Sequence, residues 1–167
     1  MLAGAASVLL LGGLVSLALY RVSEQQQRHE SLNQTFATVA ALEHAQSDLA
    51  LLLASASTLS QTSDPDMADA TLQAAGALQD HLGEARANAL ARDNAMLLAD
   101  LDNLIAQIGV VSEITQQRVP DLIAADRSPS TDSAAAMVGE LSQQAYAIDA
   151  GLDRLVRQQQ DDYAAAA

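Results

Sequence analysis

From Leu2 to Tyr20 the chain carries no charged side chain and is dense in Leu, Val, Ala and Gly. As a helix this run rises roughly 28 Å at about 1.5 Å per residue, close to the ~30 Å hydrocarbon core of a bilayer. Arg21 ends it, and the remainder is polar and acidic with no comparable apolar block. The rival reading is a cleaved signal peptide, which wants a basic n-region, a shorter apolar core and a small-x-small cleavage site. Nothing basic precedes the run, and Ser16-Leu17-Ala18-Leu19-Tyr20 is a poor cleavage site. Residues 1–20 are therefore expected to be an uncleaved transmembrane helix, and 21–167 the domain it carries.

Orientation follows less directly. The nearest basic residues, Arg21 and Arg28, come after the helix, and the positive-inside rule taken literally would keep the domain in the cytoplasm. The expectation adopted is that Met1 is not the natural start and that a short basic cytoplasmic tail precedes it. The domain then faces the periplasm or the cell exterior from a bacterial inner membrane.

Composition narrows the fold. Half the residues are hydrophobic but only 2% are aromatic, and much of the apolar share is Ala. Ala has the highest helix propensity and lets backbones approach closely, whereas sheets want Val, Ile, Tyr, Phe and Trp. Three prolines leave long stretches without a breaker. A net charge of −13, with arginine as the only basic side chain besides His, provides no basic stripe for nucleic acid. The absence of Cys excludes disulfides, thiolate metal sites and cysteine nucleophiles.

Between Arg21 and Thr62 there is neither Gly nor Pro. Leu32, Val39, Gln46 and Leu53 recur every seven residues, with Thr35, Leu42, Leu49 and Ala56 three later, which reads as a heptad seam. Such a helix over 22–62 is roughly 60 Å long and continues the membrane helix. It is too polar to stand alone, so partner helices must cover the seam. Asp64-Pro65 predicts a restart, with Asp64 as N-cap and proline at the first helical position.

The second helix places Ala68, Leu72, Ala75, Leu78, Leu82, Ala85 and Ala89 on one face. A reversal is expected at Ala91–Asn94, with Asp93 or Asn94 capping the third helix. There Leu97, Leu101, Leu104, Ile108 and Val111 form the seam, and Val119-Pro120 predicts a kink or an end. Residues 126–130 read as a loop, and Ser130, Thr131 or Asp132 caps the fourth helix. Its seam is Val138, Ala145 and Leu152 alternating with Leu141, Ile148 and Leu155. The close at Tyr163 and four alanines reads either as the approach to a second membrane helix or as a frayed terminus.

Four helices with short connections predict an all-α chain: an N-terminal transmembrane helix continuing into an up-down-up-down antiparallel four-helix bundle. With the anchor Leu2–Tyr20 and the seams Leu32/Val39/Leu53 and Leu141/Ile148/Leu155, this architecture resembles the extracytoplasmic sensor domains of bacterial chemoreceptors and helical-bundle sensor histidine kinases. The resemblance spans the chain and rests on no family-specific motif. The polar-box pattern of nitrate sensors is missing from the first bundle helix, so no nitrate site is carried over. The resemblance implies a ligand-sensing input domain, a homodimer, and a helix shift passed across the membrane to an output domain. The rival class is a membrane-anchored scaffolding bundle that binds a partner protein.

Chemistry-bearing motifs are scarce. The chain has no Gly-rich phosphate loop, Gly-x-Ser-x-Gly or His-Glu-x-x-His, and catalytic residues, metals and cofactors are not expected. His44 with His81 and an acid from elsewhere is a conceivable cross-helix metal site, against solvated histidines as the ordinary reading. Asp64, Asp66 and Asp69 imitate the start of a calcium loop but lack its Gly and closing Glu. Two polar residues fall on predicted seams: Gln46, as register control or at a wet part of the seam, and Arg118, which continues the Leu97/Leu104/Val111 series. For Arg118 the ordinary reading is a surface pair with Asp121. The sharper reading makes it the recognition charge for a small anionic or amino-acid ligand, assisted by Arg127, with Thr58, Ser60, Gln61 and Ser133 donating neutral hydrogen bonds.

Overall fold

The structure, a computed structural model, describes the backbone of residues 2–62, 64–124 and 131–166, and the side chains of 21–22, 26, 29–62, 64–124 and 134–165. It is all-helical: α1 spans Leu2–Thr62, α2 Pro65–Ala91, α3 Ala95–Ala124 and α4 Thr131–Ala166. Each helix packs on its neighbours in sequence, and α4 closes back onto α1. Cross-helix contacts run in opposite chain directions. Thr71 meets Ser55, His81 meets Asp48 and Arg92 meets Thr35 between α2 and α1, while Arg154 meets Asp100 and Arg118 meets Glu140 between α4 and α3.

The boundaries follow local chemistry. Asp64 caps α2 by accepting from the Asp66 N–H at 3.0 Å, with Pro65 at the first position. The α2–α3 reversal is a Schellman motif: Asn94 N–H reaches the Ala89 carbonyl at 3.2 Å and Asp93 N–H reaches Leu90 at 3.0 Å. Asp93 takes the left-handed conformation this motif requires, at φ 53°. Asn94, not Asp93, then caps α3 by accepting from Leu97 N–H at 3.1 Å. The loop expected at 126–130 and the Ser130 cap lie outside the described residues.

Three expectations need correction. In α1 the core series is Thr35, Thr38, Leu42, Ala45, Leu49, Leu52, Ala56 and Leu59, all buried. The Leu32/Val39/Gln46/Leu53 series is only half-buried; Val39 and Leu53 pack against the core from its edge. In α2 the buried position is Thr71, with Leu72 exposed. The threonine hydroxyl is tolerated inside because it lies 3.0 Å from Ser55 Oγ and 2.7 Å from the Met67 carbonyl.

In α3, of the kink or end expected at Val119-Pro120 the end does not occur, since the helix runs on to Ala124. Pro120 is exposed, so the carbonyl that loses its partner faces water, where the deficit is smallest. Val119, not Arg118, is buried at this level. A straight helix drifts about 20° per heptad against a seven-residue count, and beyond Thr115 that drift turns Arg118 out of the seam. Among the described residues searched, α3 is the one helix long and apolar enough to cross a membrane. Its apolar face, from Leu97 to Leu122, is buried against the other helices.

Candidate functional site

The predicted anion site is only partly described. Arg118 lies 3.7 Å from Glu140 of α4, both about half exposed, so its partner is across the α3–α4 groove and not Asp121. The Thr58 hydroxyl donates to the Ala54 carbonyl at 3.0 Å and Ser60 to Ser57 at 2.7 Å; both hydroxyl protons are spent within α1. Gln61 is exposed. Arg127 lies outside the described residues, as does the side chain of Ser133.

Polar ties instead mark three of the four grooves. His81 Nδ1 sits 2.6 Å from Asp48 between α2 and α1, Arg86 pairs with Asp102 between α2 and α3, and α3–α4 holds Arg118–Glu140 and Arg154–Asp100. The guanidinium of Arg86 is held above its ordinary range by its hydrogen bond to Asp102 and by that carboxylate's charge. His44 stacks obliquely on His81, ring centroids 5.1 Å apart. The two histidines of the conceivable cross-helix site, against which solvated histidines are the ordinary expectation, thus stand together, with Asp48 beside His81. Among the described residues, however, no group of three His, Asp or Glu side chains is disposed to hold a metal.

The α1–α4 groove is different. It is lined by Gln46, Leu49, Leu53, Ala145, Tyr146 and Asp149 in a hollow of about 350 Å³. Further along, Phe36, Val39, Ala40, Gln160 and Tyr163 line a second hollow of about 250 Å³. Phe36 is 68% exposed and Tyr146 80% exposed, with Tyr163 also open to solvent. Every aromatic side chain described therefore lies on this groove, and none lies in the core. A larger hollow, about 550 Å³, runs along α4 between Asp153 and Asp162; its walls belong to one helix, so it encloses nothing.

At the end of this groove sits the best-organised polar cluster of the described residues. Arg92 is the C-cap of α2, and the Schellman turn fixes where its side chain starts. Its Nη1 donates to Thr35 Oγ1 at 2.6 Å, and its Nη2 donates to Gln159 Oε1 at 2.7 Å. Thr35 in turn donates to the Ser31 carbonyl at 2.9 Å, and Gln159 Nε2 donates to Asp162 at 3.3 Å. Gln159 is fully buried. Burial lowers the pKa of Arg92, and the charge of Asp162 opposes that shift. Its Nε is also buried and has no partner among the described residues. One guanidinium thus ties α2, α1 and α4 together at the level beyond which only α1 and α4 continue.

Sequence reasoning placed Arg92 merely beside a turn. The signal was present: Thr35 begins the buried series that continues through Leu42 and Leu49. Counting seven on from Leu152 gives Gln159. Two seams ending in polar residues at one end of the packed helices require a shared polar partner. The chain matches no protein-family model, and no curated protein or solved structure is significantly similar to it.

Proposed function

We propose that the chain is the ligand-sensing input domain of a bacterial transmembrane signalling receptor, of the chemoreceptor or sensor-kinase kind. In this reading residues 2–20 cross the inner membrane and 21–167 form an up-down-up-down antiparallel four-helix bundle on the periplasmic or outer side. The observation that carries it is α1 itself: one unbroken helix, Leu2–Thr62, joins the apolar run Leu2–Tyr20 to the residues that pack in the helical core. Between Arg21 and Thr62 this helix holds neither proline nor glycine, the residues at which sharp kinks form. Displacement of its distal part is therefore delivered as rigid-body motion as far as the start of the apolar run at Tyr20. Binding biases such a motion only through a difference in affinity between two arrangements.

The proposed ligand is a small carboxylate or amino acid at the distal end, near Arg118, Arg127, Thr58, Gln61 and Ser133. The proposed assembly is a homodimer, with the exposed aromatic stripe of α1–α4 as its contact. That same stripe supports the second reading, a membrane-anchored scaffold whose groove takes a partner protein. Mass spectrometry of the membrane fraction tests the anchor, and peptides reaching into 2–20 are expected. A mature N-terminus at or after Tyr20 overturns the receptor reading and leaves a secreted bundle. Chemical cross-linking of the membrane-embedded protein separates dimer from heteromeric scaffold.

A further inference from the structure

Three kinds of side chain meet in the smaller hollow of the α1–α4 groove. Phe36 of α1 and Tyr163 of α4 supply aromatic rings from its two walls, Val39 and Ala40 supply aliphatic surface, and Gln160 supplies an amide. Among the described residues Glu43 is the only charged one on this lining. The neighbouring hollow repeats the combination with Tyr146, Gln46 and Asp149, and no basic side chain lines either of the two. Phe36, Tyr163 and Glu43 are all open to solvent, so neither ring is spent on the core. An aromatic face attracts a cation through its quadrupole, and a carboxylate beside it does so through its charge. The net charge of −13 draws cations to the surface as a whole. A small metal ion keeps its waters and gains nothing from Val39 and Ala40, whereas an alkylammonium covers apolar surface as it pairs with the carboxylate. At about 250 Å³ the hollow falls below the ~300–1,000 Å³ of drug-sized pockets, so its occupant is small.

We propose that this hollow binds a small alkylammonium ion, with the methylated nitrogen held by Phe36 and Tyr163 and its charge compensated by Glu43. An exposed ion pair by itself is weak, so the rings carry the preference for an alkylated cation. The site goes beyond the sensor reading and needs neither the distal arginines nor a second copy. In a two-fold dimer on the same stripe, the patch facing the hollow is that patch again, which adds aromatic and acidic groups. Where residues 2–20 span a bilayer, roughly 22 Å of helical rise separates Arg21 from Phe36. A headgroup layer is only about 5–8 Å deep, so the ligand arrives free from solution and not on a lipid.

The chain has no tryptophan, so Phe36→Trp puts a unique fluorophore on the wall of the hollow and installs the ring that attracts cations best. The full-length variant in alkyl maltoside micelles, which carry no ammonium group, is titrated with choline and with dimethylbutanol, in which carbon replaces the charged nitrogen. Choline should change the emission saturably, and the neutral isostere should bind at least about tenfold more weakly. Adding Glu43→Gln should weaken choline about tenfold, and adding Tyr163→Leu about fivefold. With the native phenylalanine, saturation transfer from protein to the choline methyl protons reads the same binding, and Phe36→Leu should diminish it. Arg118→Ala should leave choline binding unchanged, so failure of the distal anion site is told apart from failure of this one. Equal responses to choline and dimethylbutanol would make the hollow merely apolar and overturn the proposal, as would a choline response that never saturates. Affinity unchanged in both the Glu43→Gln and Tyr163→Leu variants places the cation elsewhere and overturns it as well.

Discussion

Leu104 of α3 closes over Gly151 of α4: a Cβ built on Gly151 would stand 2.6 Å from Leu104 Cδ2. This is the closest approach at any described glycine, and it puts the leucine over bare backbone. Leu104 is 4% exposed, so its methyl has little room to retreat. Gly151→Ala should destabilise the protein by about 1 kcal/mol, as overpacking of ~1–3 kcal/mol outweighs the ~1 kcal/mol that alanine adds in helix propensity. Leu104→Ala alone should cost about 2–5 kcal/mol. In the Leu104→Ala background Gly151→Ala should become stabilising, and a double-mutant cycle by urea unfolding reads that change of sign. Additive effects would show that the two side chains do not compete for space.

The buried hydroxyls of Ser55 and Thr71 make a second coupled pair. Ser55 has its own acceptor in the Leu52 carbonyl at 3.1 Å, so Thr71→Val should cost only about 1 kcal/mol through the acceptor it leaves unpaired. Replacing both, Ser55→Ala with Thr71→Val, removes the polar groups together. Equilibrium unfolding should find the double variant no less stable than the single.

Pro120 lies inside α3 but on its solvent side, near the C-terminus. Pro120→Ala restores one backbone donor and should raise stability by about 1 kcal/mol, below the ~3 kcal/mol of a mid-helix proline. Thermal melts followed by circular dichroism measure it. A lower melting temperature would mean that the proline ring itself packs on a neighbour.

Asp93 holds a left-handed conformation that glycine adopts at no steric cost. Asp93→Gly should stabilise the turn by up to about 1 kcal/mol, while Asp93→Val should destabilise the protein by more than that. Chemical denaturation of the two variants side by side gives the test, and equal stability would put the strain elsewhere.

The Arg118–Glu140 pair is exposed, so Arg118→Ala should change stability by no more than about 0.5 kcal/mol. If a carboxylate or amino acid found by thermal-shift screening uses this end, Arg118→Ala should weaken it by roughly 10²-fold in calorimetry. Unchanged affinity in both Arg118→Ala and Arg127→Ala removes the arginine site.

The sequence by itself determined the helical class, the boundaries at Thr62 and Asp64, and most of the buried leucines and isoleucines, while at the second reversal it left Asp93 and Asn94 as alternative caps. Those features are local: a capping side chain, a proline or a period of seven acts over one or two turns, and each is written in neighbouring residues. Only the tertiary structure decided which side of each seam is innermost, because a straight helix drifts against a seven-residue count and its neighbours choose the face. That drift took Arg118 out of the core; in α2 the buried face keeps the count of seven, through Thr71, Leu78 and Ala85, and it is Leu72 that lies off it. Tertiary packing also decided the polar ties. Arg92, Thr35 and Gln159 stand far apart in the chain, and no spacing rule joins them. They meet because three helices and one fixed turn bring a donor and two acceptors to the same level.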